Sequence, residues 1–445
     1  MRSPRRAWLT AAAKALARAR RPAPAHPARD VPAPPPAELI DFLRRIGVAL
    51  CRAGALTTRI HDEMAGLATA YGVPNVYFFV VPTGVFVRIG AGVDATVDFA
   101  PAELDTLRLD QIGWLYDLIA EARTHRMPPA DGVARLAEIL AAPPRFPGWV
   151  RACGHTMLTV GLGLVLNADP TALPGYLVLG TVVAVLRLLA ERLPALAPVL
   201  PVVASILVTA VVYRLGDLLV DTYPTQLLIP SLVTFLPGAA LTLGAAEIVT
   251  GSIIAGSSRL VAGMYSLLLL AFGILAGARL AGFPGVTITG TGSLGWWAPW
   301  VGVLVFGIGQ YLNSSGPTRS LPWLLGTLYL VWTAQFLAGQ VDVLFGAFVG
   351  GLAVVPIAYL AERHHGPPAQ VMFLSTFWLL VPGALGLAGV SELFGANSGN
   401  GPADVLDALL SVVAISLGTL AGFGFVQSTR NAARRLADPT WSSDA

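Results

Sequence analysis

Cysteine is nearly absent from this 445-residue chain, which has only Cys51 and Cys153. Two thiols cannot build a cysteine metal cluster or a disulfide framework, and Cys51, in the more polar part of the chain, fits a reducing compartment. Lysine occurs once, at Lys14, while arginine is used throughout. That is a compositional bias rather than a phosphate-binding design, so the net charge of +3 does not argue for a nucleic-acid partner. Charge of either sign is scarce: 12% of residues are Asp, Glu, Lys or Arg, against about 25% in soluble domains. With 55% hydrophobic residues and a mean hydropathy of +0.66, most of the chain is built for lipid.

The charge that exists is unevenly placed. Residues 1–151 hold 33 of the 55 charged residues, and residues 152–429 hold 17. This predicts a soluble region followed by a membrane region. Residues 1–36 are basic and rich in Pro and Ala, and read as a disordered tail near an anionic leaflet. Lys14 interrupts its only apolar run, which argues against a signal peptide. Residues 37–150 read as a small α+β domain. Apolar spacing predicts a helix over 38–52, a second helix from Thr57 or Thr58 as cap to about Gly72, and further helices over 104–125 and 132–140. Between them, 75–89 reads as a hairpin turning at Pro82-Thr83-Gly84, with a third strand near 95–99. This region lacks a Gly-rich phosphate loop, paired His/Cys ligands and a nucleophile elbow. His61-Asp62-Glu63 are sequence neighbours that point apart on a helix. Arg59 and Arg108 read as structural or docking residues.

A helix needs about 20 apolar residues to cross the hydrocarbon. Ten spans are expected, near 151–168, 172–190, 195–213, 226–250, 259–280, 295–313, 320–338, 341–361, 370–391 and 404–427. Domain boundaries follow: a first membrane half over 151–282, a second over 293–428, and a tail over 429–445. Basic residues set the orientation. With the α+β domain inside, Arg151, Arg192, Arg259, Arg319, Arg363, Arg430, Arg434 and Arg435 fall on the inner side, and Arg214 and Arg279 on the outer. Both termini are therefore expected in the cytoplasm.

One phrase occurs twice. Leu236-Pro237-Gly238-Ala239 leads to Glu247, and Val381-Pro382-Gly383-Ala384 leads to Glu392. Pro-Gly breaks a helix, and a carboxylate in an apolar span is costly and therefore suggestive. Because each half has an odd number of spans, the two copies run antiparallel. The expected fold is an α-helical integral membrane protein with a 5+5 inverted repeat, whose two breaks meet at one site near mid-membrane.

The candidate substrate residues are Pro237, Gly238, Thr242, Pro382 and Gly383, and the candidate proton-coupling residues are Glu247 and Glu392. The alternative role of the two acids is as interfacial carboxylates at helix ends, about 15 Å from the breaks. Ser231 and Thr234 line the first break; Ser375 and Thr376 precede the second. Asp217 and Asp221, with Arg214, flank the outer end of the third span. Asp342 reads as a helix N-cap, His155 as an interfacial histidine, and Trp296, Trp297, Trp300 and Trp323 as interfacial anchors.

The stretch Leu43–Gly47, Gly54, Thr58-Arg59-Ile60, Tyr71-Gly72 and Pro82-Thr83-Gly84 resembles the cytoplasmic domain of the threonine/serine exporter family. Leu236-Pro237-Gly238 to Thr242, Glu247, Gly251, Gly256 and Arg259-Leu260 resemble its first membrane half, and Val381-Pro382-Gly383 its second. The resemblance covers about 38–428. It implies export of L-threonine and L-serine from a bacterial plasma membrane, driven by the proton motive force, with no cofactor or metal. Partners would be the small-molecule substrate, protons and the bilayer, with no nucleic acid; a homo-oligomer stays open. Two departures bear on the substrate: Glu247 stands where the family's pattern has aspartate, and the Asn that often follows the Leu-Thr pair is absent. Export of a C4-dicarboxylate is the alternative. A membrane-embedded enzyme lacks a nucleophile or metal set, and a membrane-anchored sensor would not need ten spans.

Overall fold

In the computed structural model, the structure describes residues 36–73, 75–90, 95–102, 105–125, 127–220, 224–282, 294–380 and 401–437. Its N-terminal part is an α+β module. Helices α1 (Pro36–Arg52) and α2 (Thr57–Ala70) are followed by strands β1 (Val76–Val81), β2 (Gly84–Ile89) and β3 (Thr96–Pro101), then by α3 (Leu109–His125) and α4 (Pro129–Ala141). The strands form an antiparallel sheet in the order β1-β2-β3. Val81 pairs with Gly84, so the first turn has Pro82 and Thr83 at its tip, with proline pre-setting φ.

Alternation decides which face of the sheet is covered. Val85, Val87 and Ile89 of β2 turn inward, onto Leu39, Phe42, Leu43, Ile46 and Leu50 of α1. These α1 positions recur at the spacing of one helix face. Tyr77, Phe79, Phe86, Val97 and Phe99 lie on the open face, where Phe86 stacks on Phe99 with ring centroids 4.3 Å apart.

The remaining helices are α5 (Gly148–Leu166), α6 (Leu173–Arg192), α7 (Leu200–Leu219), the single turn α8 (Leu228–Ser231), α9 (Gly238–Val249), α10 (Ile253–Ala281), α11 (Ala298–Asn313), α12 (Leu321–Gly339), α13 (Val343–Arg363), α14 (Ala369–Leu380) and α15 (Gly401–Ala437). Among the described residues, seven stretches are long and apolar enough to cross a membrane: Gly148–Leu166, Pro170–Arg192, Ala195–Gly216, Ile253–Ala281, Leu321–Gly339, Val343–Arg363 and Leu410–Thr429. The protein is thus a largely helical, multi-pass membrane protein. Three of the ten expected spans fall outside these seven. The span near 226–250 is interrupted, that near 295–313 carries the 16-residue helix α11, and that near 370–391 is described only as far as Leu380.

The membrane helices pack through small residues, which let backbones approach where lipid offers no hydrophobic drive. Helices α5 and α11 pack along much of their length. A Cβ on Gly154 would lie 2.9 Å from Gly309 O, and one on Gly161 would lie 2.8 Å from Gly302 O. Since 154 faces 309 and 161 faces 302, the two helices run antiparallel. Small residues also seat α10 on α7, with Gly273 against Ser205 and Gly277 against Thr209, and α15 on α13, with Gly418 against Phe348 and Gly422 against Leu352; these two pairs run parallel. Asp342 caps α13, accepting from the N–H groups of Leu344 and Phe345 at 2.9 and 3.0 Å.

The module sits on the membrane helices through specific contacts. The Arg59 guanidinium lies between the rings of Tyr116 (α3) and Tyr359 (α13), 5.2 and 5.3 Å from their centroids. Arg145 donates to Tyr311 Oη at 2.7 Å and Gly316 O at 2.9 Å. Arg108 stays within the module, paired with Asp110 at 3.1 Å and donating to Ala142 O at 2.9 Å.

Candidate functional site at the broken helix

The segment before α9 is not one helix. A short 3-10 stretch, Pro224–Leu227, leads into the α-turn α8; a second, Val233–Phe235, follows; Leu236 is extended, and α9 starts at Gly238. The cause is local. Pro237 has no N–H and clashes with a helical turn before it, and the residue before a proline is pushed toward extended backbone. Leu236 has φ −69° and ψ 127°.

A break leaves backbone groups without helical partners, and lipid cannot supply substitutes. Leu232, Phe235 and Leu236 still donate to Leu228, Leu232 and Val233. Beyond these, among the described residues, the N–H groups of Gly238, Ala239 and Ala240 have no acceptor, and the carbonyls of Thr234, Phe235 and Leu236 have no donor. The break therefore presents donors at the positive end of α9 and acceptors just before it.

Side chains around the break belong to several helices. His155 of α5 is buried; its Nδ1–H donates to Gly180 O at 3.1 Å, and its Nε2 then accepts from the Thr234 hydroxyl at 3.2 Å. That bond fixes the imidazole tautomer and links α5 and α6 to the break. A 20 Å³ polar cavity beside His155 is lined also by Arg151, Arg187, Glu191 and Asn313. Ser231 is satisfied by Leu227 O at 2.7 Å. Thr242, fully buried one turn into α9, has a hydroxyl with no partner among the described residues, as do Thr159 and Thr376. The Thr242 carbonyl accepts from Ser416 of α15 at 3.2 Å, so α9 touches the second half of the chain there.

Glu247, near the end of α9, is 0% exposed. Its Oε2 accepts from Arg259 Nε of α10 at 3.0 Å, and its Oε1 accepts from the Thr57 N–H at 3.0 Å. Arg259 Nη2 donates to Ala55 O at 2.9 Å. Neither expected Thr57 nor Thr58 acts as the cap of α2. Leu56 holds that position without a side-chain bond, and the Thr57 hydroxyl is unpartnered. The carboxylate of Glu247 takes up the first free N–H of α2 instead, which suits the positive end of a helix.

Pro237, Gly238, Thr242 and Glu247 are thus brought onto one short helix and its entrance. Pro382, Gly383 and Glu392 lie outside the described residues, as does Asp221. The cluster His61-Asp62-Glu63 does not converge: Glu63 turns to Arg123 at 2.7 Å, while His61 and Asp62 are exposed. Arg214 donates to Leu280 O at 3.1 Å. Arg259, counted from the sequence among the inner-side basic residues, is the ion-pair partner of Glu247. The signal was present: opposite charges stand on either side of Gly251-Ser252 in an otherwise apolar stretch, as in a helical hairpin.

Among known proteins, the model of the family described as "Putative threonine/serine exporter" matches residues 41–281, just over half of the chain. That stretch runs from α1 to α10 and includes Thr57, Pro237, Glu247 and Arg259. An uncharacterized protein of Schizosaccharomyces pombe is 26% identical over 259 residues, which are 55% of this chain and 34% of that protein. The chain spans about a third of the length of this curated relative. No solved structure matches.

Proposed function

The chain belongs to the threonine/serine exporter family, and from that premise we propose that it is a secondary transporter carrying small hydroxy amino acids, L-threonine and L-serine, out of the cytoplasm. In this reading it lies in a bacterial plasma membrane with both termini and the α+β module on the cytoplasmic side. Substrate binds where Pro237 and Gly238 break the helix, beside Thr242, with Pro382 and Gly383 completing the site. Glu247 and Glu392 exchange the driving proton. The two halves form an inverted repeat that supports alternating access. The antiparallel pairing of α5 with α11, and the like packing of α10 on α7 and α15 on α13, support that symmetry.

The observation that carries the reading is the backbone at the break that has no partner among the described residues. A zwitterionic amino acid offers a carboxylate to the N–H groups of Gly238, Ala239 and Ala240, and an ammonium to the carbonyls of Thr234, Phe235 and Leu236. An orphan hydroxyl such as that of Thr242 suits a hydroxylated side chain, because a site built to hydrogen-bond a substrate hydroxyl rejects the analogue lacking it. Binding of labelled threonine to the purified protein tests this. Threonine and serine should compete and valine should not, and Pro237→Ala should abolish binding while the protein still folds. Equal competition by valine would overturn the assignment to hydroxy amino acids.

A C4-dicarboxylate is the second reading. It is favoured by Arg187, which lines the polar cavity next to His155 and donates to Asn313 Oδ1 at 3.0 Å. Displacement of bound threonine by succinate, lost in Arg187→Gln, would favour it.

A further inference from the structure

Residues 53–57, the connection between α1 and α2 with the first residue of α2, lie outside every function assigned above, yet both membrane halves hold them. Ala53 and Ala55 are almost wholly buried. On one side the first membrane half grips it: Arg259 donates to Ala55 O, and Glu247 accepts from the Thr57 N–H. On the other side the second half grips it: Gln370, in the first turn of α14, donates to Ala53 O and Gly54 O, each at 3.3 Å. Gly54 lies against Leu374 of the same helix, and its φ of +67° suits a residue without a Cβ. Between these grips Leu56 packs onto an apolar cluster that includes Leu243 of α9, Phe373 and Phe377 of α14, and Ile415 of α15.

The placement of the two gripping helices gives the loop its meaning. Helix α9 starts at the Pro237 break and ends near Glu247; α14 starts near Gln370 and leads in sequence toward Pro382. The loop therefore sits between the start of α14 and the Glu247 end of α9, whose other end is the break at Pro237. Thr242 and its unpartnered hydroxyl lie about 7.5 Å further along α9 from Glu247. A loop that only attached a domain would need neither burial between both halves nor a leucine inserted among their side chains.

We propose that residues 53–57 are the gate of the module-facing mouth of the transport pathway. Opening on that side requires Leu56 to withdraw and the backbone of Ala53, Ala55 and Thr57 to leave Gln370, Arg259 and Glu247. The α+β module is then a moving part of the transport cycle. This rests on the transporter reading, and the test separates the two.

In a chain with Cys51→Ala and Cys153→Ala, Ala53→Cys and Gln370→Cys are joined by a short reducible bis-thiosulfonate linker. Threonine counterflow in proteoliposomes should fall at least about tenfold when the loop is tied and recover on reduction, since flux follows the open fraction. Unchanged counterflow with the loop tied would overturn the gate. A second measurement needs no substrate. Thr242→Cys, in the same cysteine-free chain, is treated from the module side with a membrane-impermeant maleimide, with and without Leu56→Gly and Gln370→Ala. Loosening the loop should raise the labelling rate at least about tenfold; equal rates would overturn the proposal. If no form of the protein moves threonine, the transporter reading fails, and the labelling rates alone decide whether the loop closes the mouth.

Discussion

At the scale of single residues, Glu247 carries three tasks in one carboxylate: it caps α2, pairs with Arg259, and ends the helix that begins at the break. Removing one partner of a buried pair leaves the other charge uncompensated, which typically costs about 3–5 kcal/mol. Glu247→Ala should therefore lower the melting temperature in detergent markedly. Glu247→Gln, which keeps an acceptor for the Thr57 N–H, should cost less, about 1–3 kcal/mol. Equal shifts for the two would show that the acceptor for the Thr57 N–H contributes nothing beyond the ion pair. Cys51 gives a second residue-scale prediction. Burial, with Glu247 nearby, pushes its thiol up to about 12, against the opposing pull of Arg259. At pH 8 about one thiol in ten thousand is then ionised, and the thiolate is the reactive form. Maleimide should spare Cys51 until the protein unfolds; rapid modification of Cys51 in the folded protein would contradict that burial. The sequence marked Glu247 because an acid in an apolar run is conspicuous. The bond from Thr57, 190 residues away, left no trace in local pattern, since a backbone N–H has no side-chain signature.

At the scale of elements, local chemistry was legible and tertiary closeness was not. Pro237-Gly238 announced the break, Pro82-Thr83-Gly84 announced the hairpin, and Asp342 announced a cap. Each acts on its own backbone within a few residues. The glycines at 154, 161, 302 and 309 were only composition until the structure set them face to face. A Cβ on Gly161 would stand 2.3 Å from Phe306 N and one on Gly309 2.5 Å from Leu158 N, and backbone atoms cannot turn aside as a flexible side chain can. Gly161→Ala and Gly309→Ala should each destabilise by about 1–3 kcal/mol, read as earlier melting in detergent. Gly326, with open space around it, should accept alanine with little change. A similar shift at all three would mean that α5 and α11 are not in contact.

At the scale of the whole molecule, the distribution of charge predicted a soluble region ahead of a membrane region; among the described residues, an α+β module over 36–141 precedes the long apolar helices. Ten spans were expected, and among the described residues seven long apolar stretches are found; a hydropathy run does not register the break at Pro237 or the shortness of α11, while the span near 370–391 is described only to Leu380. How the module meets the membrane part was legible only in Arg59, which the sequence marked as a structural or docking residue without naming its partners. The Arg59 guanidinium between Tyr116 and Tyr359 joins α2, α3 and α13, three elements far apart in sequence, and the loop 53–57 touches both halves. Arg59→Ala should loosen this docking and speed proteolysis between α4 and α5, near Pro143-Pro144, while the membrane helices stay protected; an unchanged cleavage rate would argue against the docking role. The central claim concerns what crosses the membrane. Its most direct measurement is counterflow in proteoliposomes loaded with unlabelled substrate, using labelled threonine, serine and succinate under an imposed pH gradient. The account predicts exchange of threonine and serine well above empty liposomes, responsive to the gradient and lost in Pro237→Ala. No movement of either amino acid beyond the empty-liposome level, or movement of succinate alone, would contradict it.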